Sequence, residues 1–179
     1  GFKKIKKVVA GGKERSNSVF NGLKAASVKT DIVVIHDGAR PLIKTREIEK
    51  SILKAKEVGG CIVAVPVKDT IKQCDETGII QNTPPRQTLW SAQTPQTFKY
   101  NLIVEAYQKL DNYNGSITDD SSLFELLGYP VQVIKGEYDN IKITTKEDLI
   151  LFKTLKPWKY KGFRVFLKIN YNFFKKRLD

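Results

Sequence analysis

Short apolar runs alternate along the chain with segments in which apolar positions recur every third or fourth residue, and turn residues separate the two kinds. KIKKVVA, at 4–10, predicts a strand ending at Gly11-Gly12. Over 14–26, Val19, Phe20, Leu23 and Ala26 fall on one side of a helix. DIVVIH predicts the next strand. TREIEKSILKAKEVGG predicts a helix with Thr45 as N-cap, Ile48, Ile52 and Leu53 as its apolar residues, and Gly59-Gly60 as its stop. CIVAVPV predicts a third, buried strand.

The pattern changes over 68–96. DTIKQCDETGIIQ reads as two short strands about a turn at Asp75 to Gly78, and NTPPRQTLWSAQTP is dominated by turn residues. Together they predict a hairpin arm leaving the domain. A helix over 98–110 then places Phe98, Leu102, Ile103, Ala106 and Leu110 on one face. TDDSSLFELLG starts another helix, with Thr118 as cap and Gly128 as stop. VQVI and NIKI predict strands, and TTKEDLILFKTL a closing helix in which Thr145 and Asp148 cap each other. Trp90 and Phe98 are expected in the core. Strands alternating with helices give an α/β fold.

Composition narrows the picture. The 179 residues are 41% hydrophobic and 28% charged, the balance of a globular domain with a sizeable core. No apolar run approaches the length of a membrane span, and no signal-peptide pattern opens the sequence as given. Cys61 and Cys74 lie in apolar or alternating stretches and fit reduced thiols, so a cytoplasmic setting is expected. The net charge of +12 suits nucleic acid, an anionic membrane or a phosphorylated small substrate. Its surplus sits mainly at the two ends, which argues weakly for a nucleic-acid groove. Neither nucleic acid nor membrane is expected as a partner. Methionine is absent and the chain opens on Gly1, so it is expected to be incomplete at its start.

Candidate chemistry lies at strand ends, where ligands collect in parallel α/β sheets. Gly11-Gly12, between a strand and a helix, could turn backbone N–H groups toward a phosphate or a base edge, but taken alone it reads first as an ordinary tight turn. Asp37, in VVIHDGARPL, is a hard oxygen donor suited to magnesium, or a turn cap. Arg40 offers a planar fork to a phosphate, or pairs on the surface. His36 reads as a packed, hydrogen-bonded histidine. Lys142 interrupts Ile141 and Ile143 and so points away from them. Thr70, Thr94 and Thr118 carry no signal singly.

Taken together, GGKERSNSVFNGL, HDGARPLI, PVKDTIK, LWSAQTPQTF, ITDDSSLFELLG and GEYDNIKITTKEDL occur in the order and spacing of one family. From Ile5 to Leu155 the sequence closely resembles 2-C-methyl-D-erythritol 4-phosphate cytidylyltransferase. The resemblance implies a Rossmann-like three-layer α/β nucleotidyltransferase fold, with a cytidylyltransferase domain over 1–156. It also implies a projecting β-arm at 68–96 that forms a homodimer. It implies transfer of a cytidylyl group from CTP to methylerythritol phosphate with Mg2+, releasing pyrophosphate. On the matching positions, Asp37 would hold the metal, while Gly12, Lys13, Ser18 and Gly38 would contact the nucleotide. Arg40, Thr70, Thr94 and Thr118 would surround the second substrate. Arg86 and Lys142 would be catalytic, orienting the attacking phosphate, with Thr70 and Arg86 reaching the partner subunit's site.

Three departures qualify that resemblance. The family often has an acid where this chain has Lys13. The family also opens with a strand and a Gly-rich loop bearing an arginine and a lysine, and the sequence as given holds no such segment. The chain on its own is therefore expected to bind nucleotide poorly and to catalyse little. The basic aromatic tail at 157–179 has no counterpart and no assigned role. The rival readings are a cytidylyltransferase for another polyol phosphate, such as ribitol 5-phosphate, a basic nucleic-acid-binding module, and a fragment that only dimerises.

Overall fold

A strand that the apolar pattern does not announce occupies the middle of the sheet. The computed structural model describes residues 4–109 and 117–155. Its elements are α1 (Arg15–Ala25), β1 (Ile32–Ile35), α2 (Thr45–Val58), β2 (Gly60–Pro66), β3 (Gln73–Cys74) and β4 (Ile80–Asn82). A 3-10 turn (Arg86–Thr88) then precedes β5 (Trp90–Lys99), α3 (Tyr100–Lys109), α4 (Asp120–Leu126), β6 (Val131–Lys135) and α5 (Lys146–Leu155). The main sheet has the order β1-β5-β2-β6, and β3-β4 form a separate ribbon. β5 runs antiparallel to β1 and β2, while β2 and β6 are parallel. β1, β2 and β6 therefore end at one edge of the sheet, and the loops that follow them gather there.

Three layers result, as expected. On one face Leu23, Phe98, Ile103, Ala106, Tyr107, Leu123 and Phe124 join α1, α3 and α4 to the sheet. Phe98 and Phe124 are fully buried with ring centroids 5.0 Å apart, and burial of each contributes about 1.5–3 kcal/mol. Thr97, beside Phe98 in the chain, points the other way. There its Oγ1 lies 2.8 Å from Ser51 Oγ of α2. A smaller cluster of Leu42, Ile143 and Phe152 seats α5.

Several expectations are corrected. The helix expected over 98–110 begins at Tyr100, and Phe98 belongs to β5; Leu110 lies outside the described residues. The expected arm at 68–96 divides, because residues 90–96 pair with β1 and β2 in the main sheet. Pro95 is tolerated there because the β2–β5 register slips between Ile62 and Ala64, leaving extra residues on the β5 side. Trp90 is exposed rather than in the core.

KIKKVVA forms no strand, since among the described residues no strand lies beside it to share a ladder. It runs back along α1, with Lys7 Nζ donating to Ala25 O at 2.8 Å and Asn21 Nδ2 to Ala10 O at 3.3 Å. NIKI likewise makes no ladder; its backbone is held by the Ile143 N–H to Ala39 O at 2.9 Å. The alternation survives, with Ile143 buried and Lys142 exposed.

α2 buries Glu47, Ser51 and Ala55 most fully, while of the predicted apolar residues Ile48 and Ile52 are only partly buried and Leu53 is exposed; small Ser51 and Ala55 let the helix approach the sheet closely. Thr45 is its first residue and Lys44 its N-cap. Asp119, not Thr118, caps α4, its Oδ1 accepting from the Ser122 N–H at 2.9 Å. The mutual cap of Thr145 and Asp148 is present. The turn at Asp75 to Gly78 is present too, with Gly78 N–H bonded to Asp75 O.

Candidate active site at the carboxyl edge of the sheet

β1 runs out at Ile35 and the chain turns at once, the Arg40 N–H closing on Asp37 O at 2.9 Å. A relay of hydrogen bonds fixes that turn. The Asp37 N–H donates to Thr94 Oγ1 at 3.1 Å, and Thr94 Oγ1 lies 2.9 Å from His36 Nδ1. His36 Nε2 is 2.9 Å from Arg40 O. A carbonyl can only accept, so Nε2 carries the proton and Nδ1 accepts from the Thr94 hydroxyl. Burial lowers the pKa of His36 and keeps it neutral. His36 is thus the bonded histidine that the sequence suggests. Thr94, almost wholly buried, spends its hydroxyl on holding the Asp37 turn.

Asp37 meets two cations. Its Oδ2 lies 3.0 Å from Lys142 Nζ and 3.5 Å from Arg40 Nε. Burial pushes its carboxyl upward, but the Lys142 hydrogen bond and the charges of Lys142, Arg15 and Arg40 outweigh that and hold its pKa below the ordinary carboxylate range. Burial pulls Arg40 downward, against the Asp37 charge. The Lys142 side chain is 43% exposed and the Arg40 side chain 13%, so an incoming anion would meet Lys142 first. An added Cβ on Gly38 would touch nothing within 4 Å, so the backbone beside Asp37 faces open space.

The loop bringing Lys142 here is built around Gly136 and Asn140. A side chain at Gly136 would sit 2.4 Å from Val63 Cγ1, so only glycine lets the chain leave β6 this close to β2. Fully buried Asn140 donates from Nδ2 to Gln93 Oε1 at 3.1 Å and to Thr94 O at 3.0 Å. Its carbonyl accepts from Arg40 Nη1 at 2.8 Å. The loop also reaches α2, where Arg46 and Lys44 pair with Glu137.

Ahead of α1, the Gly12 N–H donates to Ser18 Oγ at 2.9 Å, and Ser18 Oγ donates to Glu14 O at 3.1 Å. A Cβ at Gly12 would lie 2.2 Å from Asn17 Cβ, so this turn admits only glycine. Lys13 is exposed on it. Arg15, the first residue of α1, grips Asp120 of α4 with Nη1–Oδ1 at 3.0 Å and Nη2–Oδ2 at 2.6 Å. Thr118 stands exposed just before Asp119.

Arg86 and Thr70 are not brought to this cluster within one chain. Both are exposed on the arm, and Arg86 Nη1 donates to Lys68 O at 2.7 Å. The arm is tied at its base by the Val67 N–H to Leu89 O bond and by Lys68 Nζ, 3.7 Å from the Tyr138 ring centroid. Its Ile71, Ile79 and Ile80 are exposed.

Five residues of this architecture escape a reading of single motifs: Arg15, Gln93, Gln96, Asp120 and Asn140. All but Arg15 are buried polar groups. The available signal was a polar run, AQTPQT, beside apolar Phe98; buried polar groups need partners, and here the partners are the site loops.

A rigid carboxylate, a half-exposed ammonium and open backbone space suit the binding of an anionic, multiply charged ligand. Asp37 is the residue that could hold a divalent cation. Among the described residues no group of three or more His, Cys, Asp and Glu is placed to do so. A lone carboxylate fits a hard cation that completes its shell with water and substrate phosphate.

Comparison with known proteins places the chain in a family. Residues 2–155 match the family described as IspD, 2-C-methyl-D-erythritol 4-phosphate cytidylyltransferase. The enzyme of that name from Alkaliphilus oremlandii is 52% identical over 162 residues, covering 90% of this chain and 69% of the relative. That from Geotalea uraniireducens is 53% identical over 153 residues, covering 84% and 65%. A 4-diphosphocytidyl-2C-methyl-D-erythritol synthase structure from Anaerococcus prevotii superposes with a TM-score of 0.79 at 38% identity, covering 83% of this chain and 66% of that one. The Thermus thermophilus 2-C-methyl-D-erythritol 4-phosphate cytidylyltransferase gives 0.74 at 33% identity, covering 82% and 71%. The chain thus spans roughly two thirds of the length of these relatives. It belongs to the 2-C-methyl-D-erythritol 4-phosphate cytidylyltransferase family.

Proposed function

We propose, from this family membership, that the chain is the core of an enzyme that moves the cytidylyl group of CTP onto 2-C-methyl-D-erythritol 4-phosphate. The observation that carries the reading is the Asp37 carboxylate, fixed beside Lys142 at the carboxyl edge of the sheet and facing the open side of Gly38.

The reaction joins a phosphate oxygen of the second substrate to the α-phosphorus of CTP while the bond to pyrophosphate breaks. The attacking group belongs to the substrate, so the protein contributes positioning and charge neutralisation. Magnesium held by Asp37 would neutralise the CTP phosphates when bound. Lys142, with its exposed ammonium, orients the attacking phosphate dianion. Gly38 admits the nucleotide to the backbone, and the turn of Gly12, Lys13 and Ser18 receives the cytidine part. Arg40 fixes the Lys142 loop through Asn140 O and adds positive field. Thr94 acts by holding the Asp37 turn, and Thr118 borders the second substrate. Arg86 and Thr70 complete the site of a second copy, which makes the enzyme a homodimer; the exposed isoleucines of the arm support this. Two free cysteines suit a cytoplasmic setting.

Pyrophosphate release tests the reading. The intact protein with CTP and magnesium should release pyrophosphate with methylerythritol phosphate and at least about tenfold more slowly with ribitol 5-phosphate. Faster release with ribitol 5-phosphate would transfer the assignment to that substrate.

A further inference from the structure

We infer that Arg15 is a positioning residue for nucleotide recognition, fixing the Gly12–Ser18 turn through its fork onto buried Asp120. Asp120 is an unusually rigid anchor. It is fully buried, and Tyr107 OH donates to the same Oδ1 that Arg15 Nη1 contacts. Gln96 Oε1 accepts from the Asp120 and Ser121 N–H groups at 3.0 and 3.1 Å, and Gln96 Nε2 donates to Asp119 Oδ2 at 2.6 Å. Gln96 itself lies in β5, two residues from Thr94, which holds Asp37. Polar contacts therefore run from α1 through α4 to Gln96, and the β5 backbone joins Gln96 to Thr94 and the Asp37 turn.

What this chain adds is direction. Val19, Phe20 and Leu23 pack α1 on the core, but apolar contacts tolerate sliding along the helix axis. A bidentate guanidinium–carboxylate pair does not, because two parallel bonds fix both distance and plane. An apolar pair would serve stability as well as a buried ion pair. The Gly12 turn moves with α1, since Ser18 of the helix holds the Gly12 N–H and Asn17 closes the space above it. The α4 end keeps its Gln96 bonds without Arg15. Loss of the pair should thus displace the nucleotide turn while leaving the Thr118 side in place. The inference rests on the cytidylyl-transfer reading for the identity of the nucleotide, not for the geometry.

The test uses Arg15→Gln and Arg15→Lys in the intact protein. Arg15→Gln should raise the KM for CTP about tenfold, with the KM for methylerythritol phosphate within about twofold and kcat within about threefold. Arg15→Lys should recover part of the loss. Amide exchange at Gly12 to Ser18 should quicken in Arg15→Gln while Leu123 to Leu126 stay protected. A folded Arg15→Gln with unchanged CTP KM and unchanged exchange overturns the inference, as does an equal rise in both KM values. Should Arg15→Gln not fold, Arg15→Lys decides alone, an unchanged CTP KM counting against the inference. Absence of CTP turnover in the unaltered protein would refute the functional reading instead, and the exchange measurement would still judge Arg15.

Discussion

Lys142 Nζ stands 3.0 Å from Asp37 Oδ2, joining two loops 105 residues apart in sequence. The carboxyl is held below its ordinary range, so the pair persists across neutral pH and, on the acid side, is lost as pH falls through the depressed Asp37 value. Asp37→Asn keeps the shape but removes the charge a metal needs, and should lower kcat by about 10²-fold or more with the fold intact. Lys142→Ala should cut transfer similarly while barely moving the thermal midpoint, because an exposed partner contributes little to stability. Steady-state kinetics alongside circular dichroism check both variants; normal turnover in either removes that residue from the site.

Two glycines should behave oppositely. Gly38→Ala meets no neighbour, so the protein should keep its stability while its KM for CTP rises about tenfold, the methyl occupying the nucleotide's approach. Gly12→Ala collides with Asn17, so the α1 turn must open and exchange at the Gly12–Ser18 segment should quicken even without nucleotide. Isothermal titration with CTP and hydrogen exchange separate the two.

His36 makes stability depend on pH in a window of its own. Its folded pKa is lowered by burial, so below about 6.5 the unfolded chain takes up a proton that the folded one refuses. Unfolding free energy should therefore fall from pH 7 toward pH 5, by up to about 1.4 kcal/mol per pH unit. Asp37 and Asp119, both depressed, act only in the more acidic carboxylate range. Denaturant titrations of His36→Gln should show a flatter line between pH 7 and 5; an unchanged slope would place the effect elsewhere.

The arm invites a test by subunit mixing. If Arg86 serves the partner's site, mixing inactive Arg86→Ala with inactive Asp37→Asn yields heterodimers with one centre free of both lesions. Random reassociation should then restore about a quarter of normal activity. Heterodimers that form and remain inactive would return Arg86 to its own subunit.

Much of this was legible in the sequence wherever one physical rule governed a segment. Helical spacing located α1 and α2, start and stop signals located α4, and the β1 and β2 runs read directly as strands. The Asp37 turn showed itself as charge at a strand end. β5 was hidden because most of its buried side chains, Gln93, Thr94, Gln96 and Thr97, are polar, chosen for partners on other elements rather than for apolar transfer. The same cause hid Asp120 and Asn140, whose partners are 105 and 47 residues away in Arg15 and Gln93. KIKKVVA had strand composition but, among the described residues, no ladder to join, which no local pattern can report.

The identity of the product tests the central claim most directly. The intact protein, given CTP, methylerythritol phosphate and magnesium, can be followed by phosphorus NMR. The account predicts coupled diphosphate-diester signals and free pyrophosphate growing in equal amounts as CTP disappears, and neither growing when the polyol phosphate is left out. CTP consumed to CMP without a diphosphate diester, or pyrophosphate released equally without the second substrate, would contradict it.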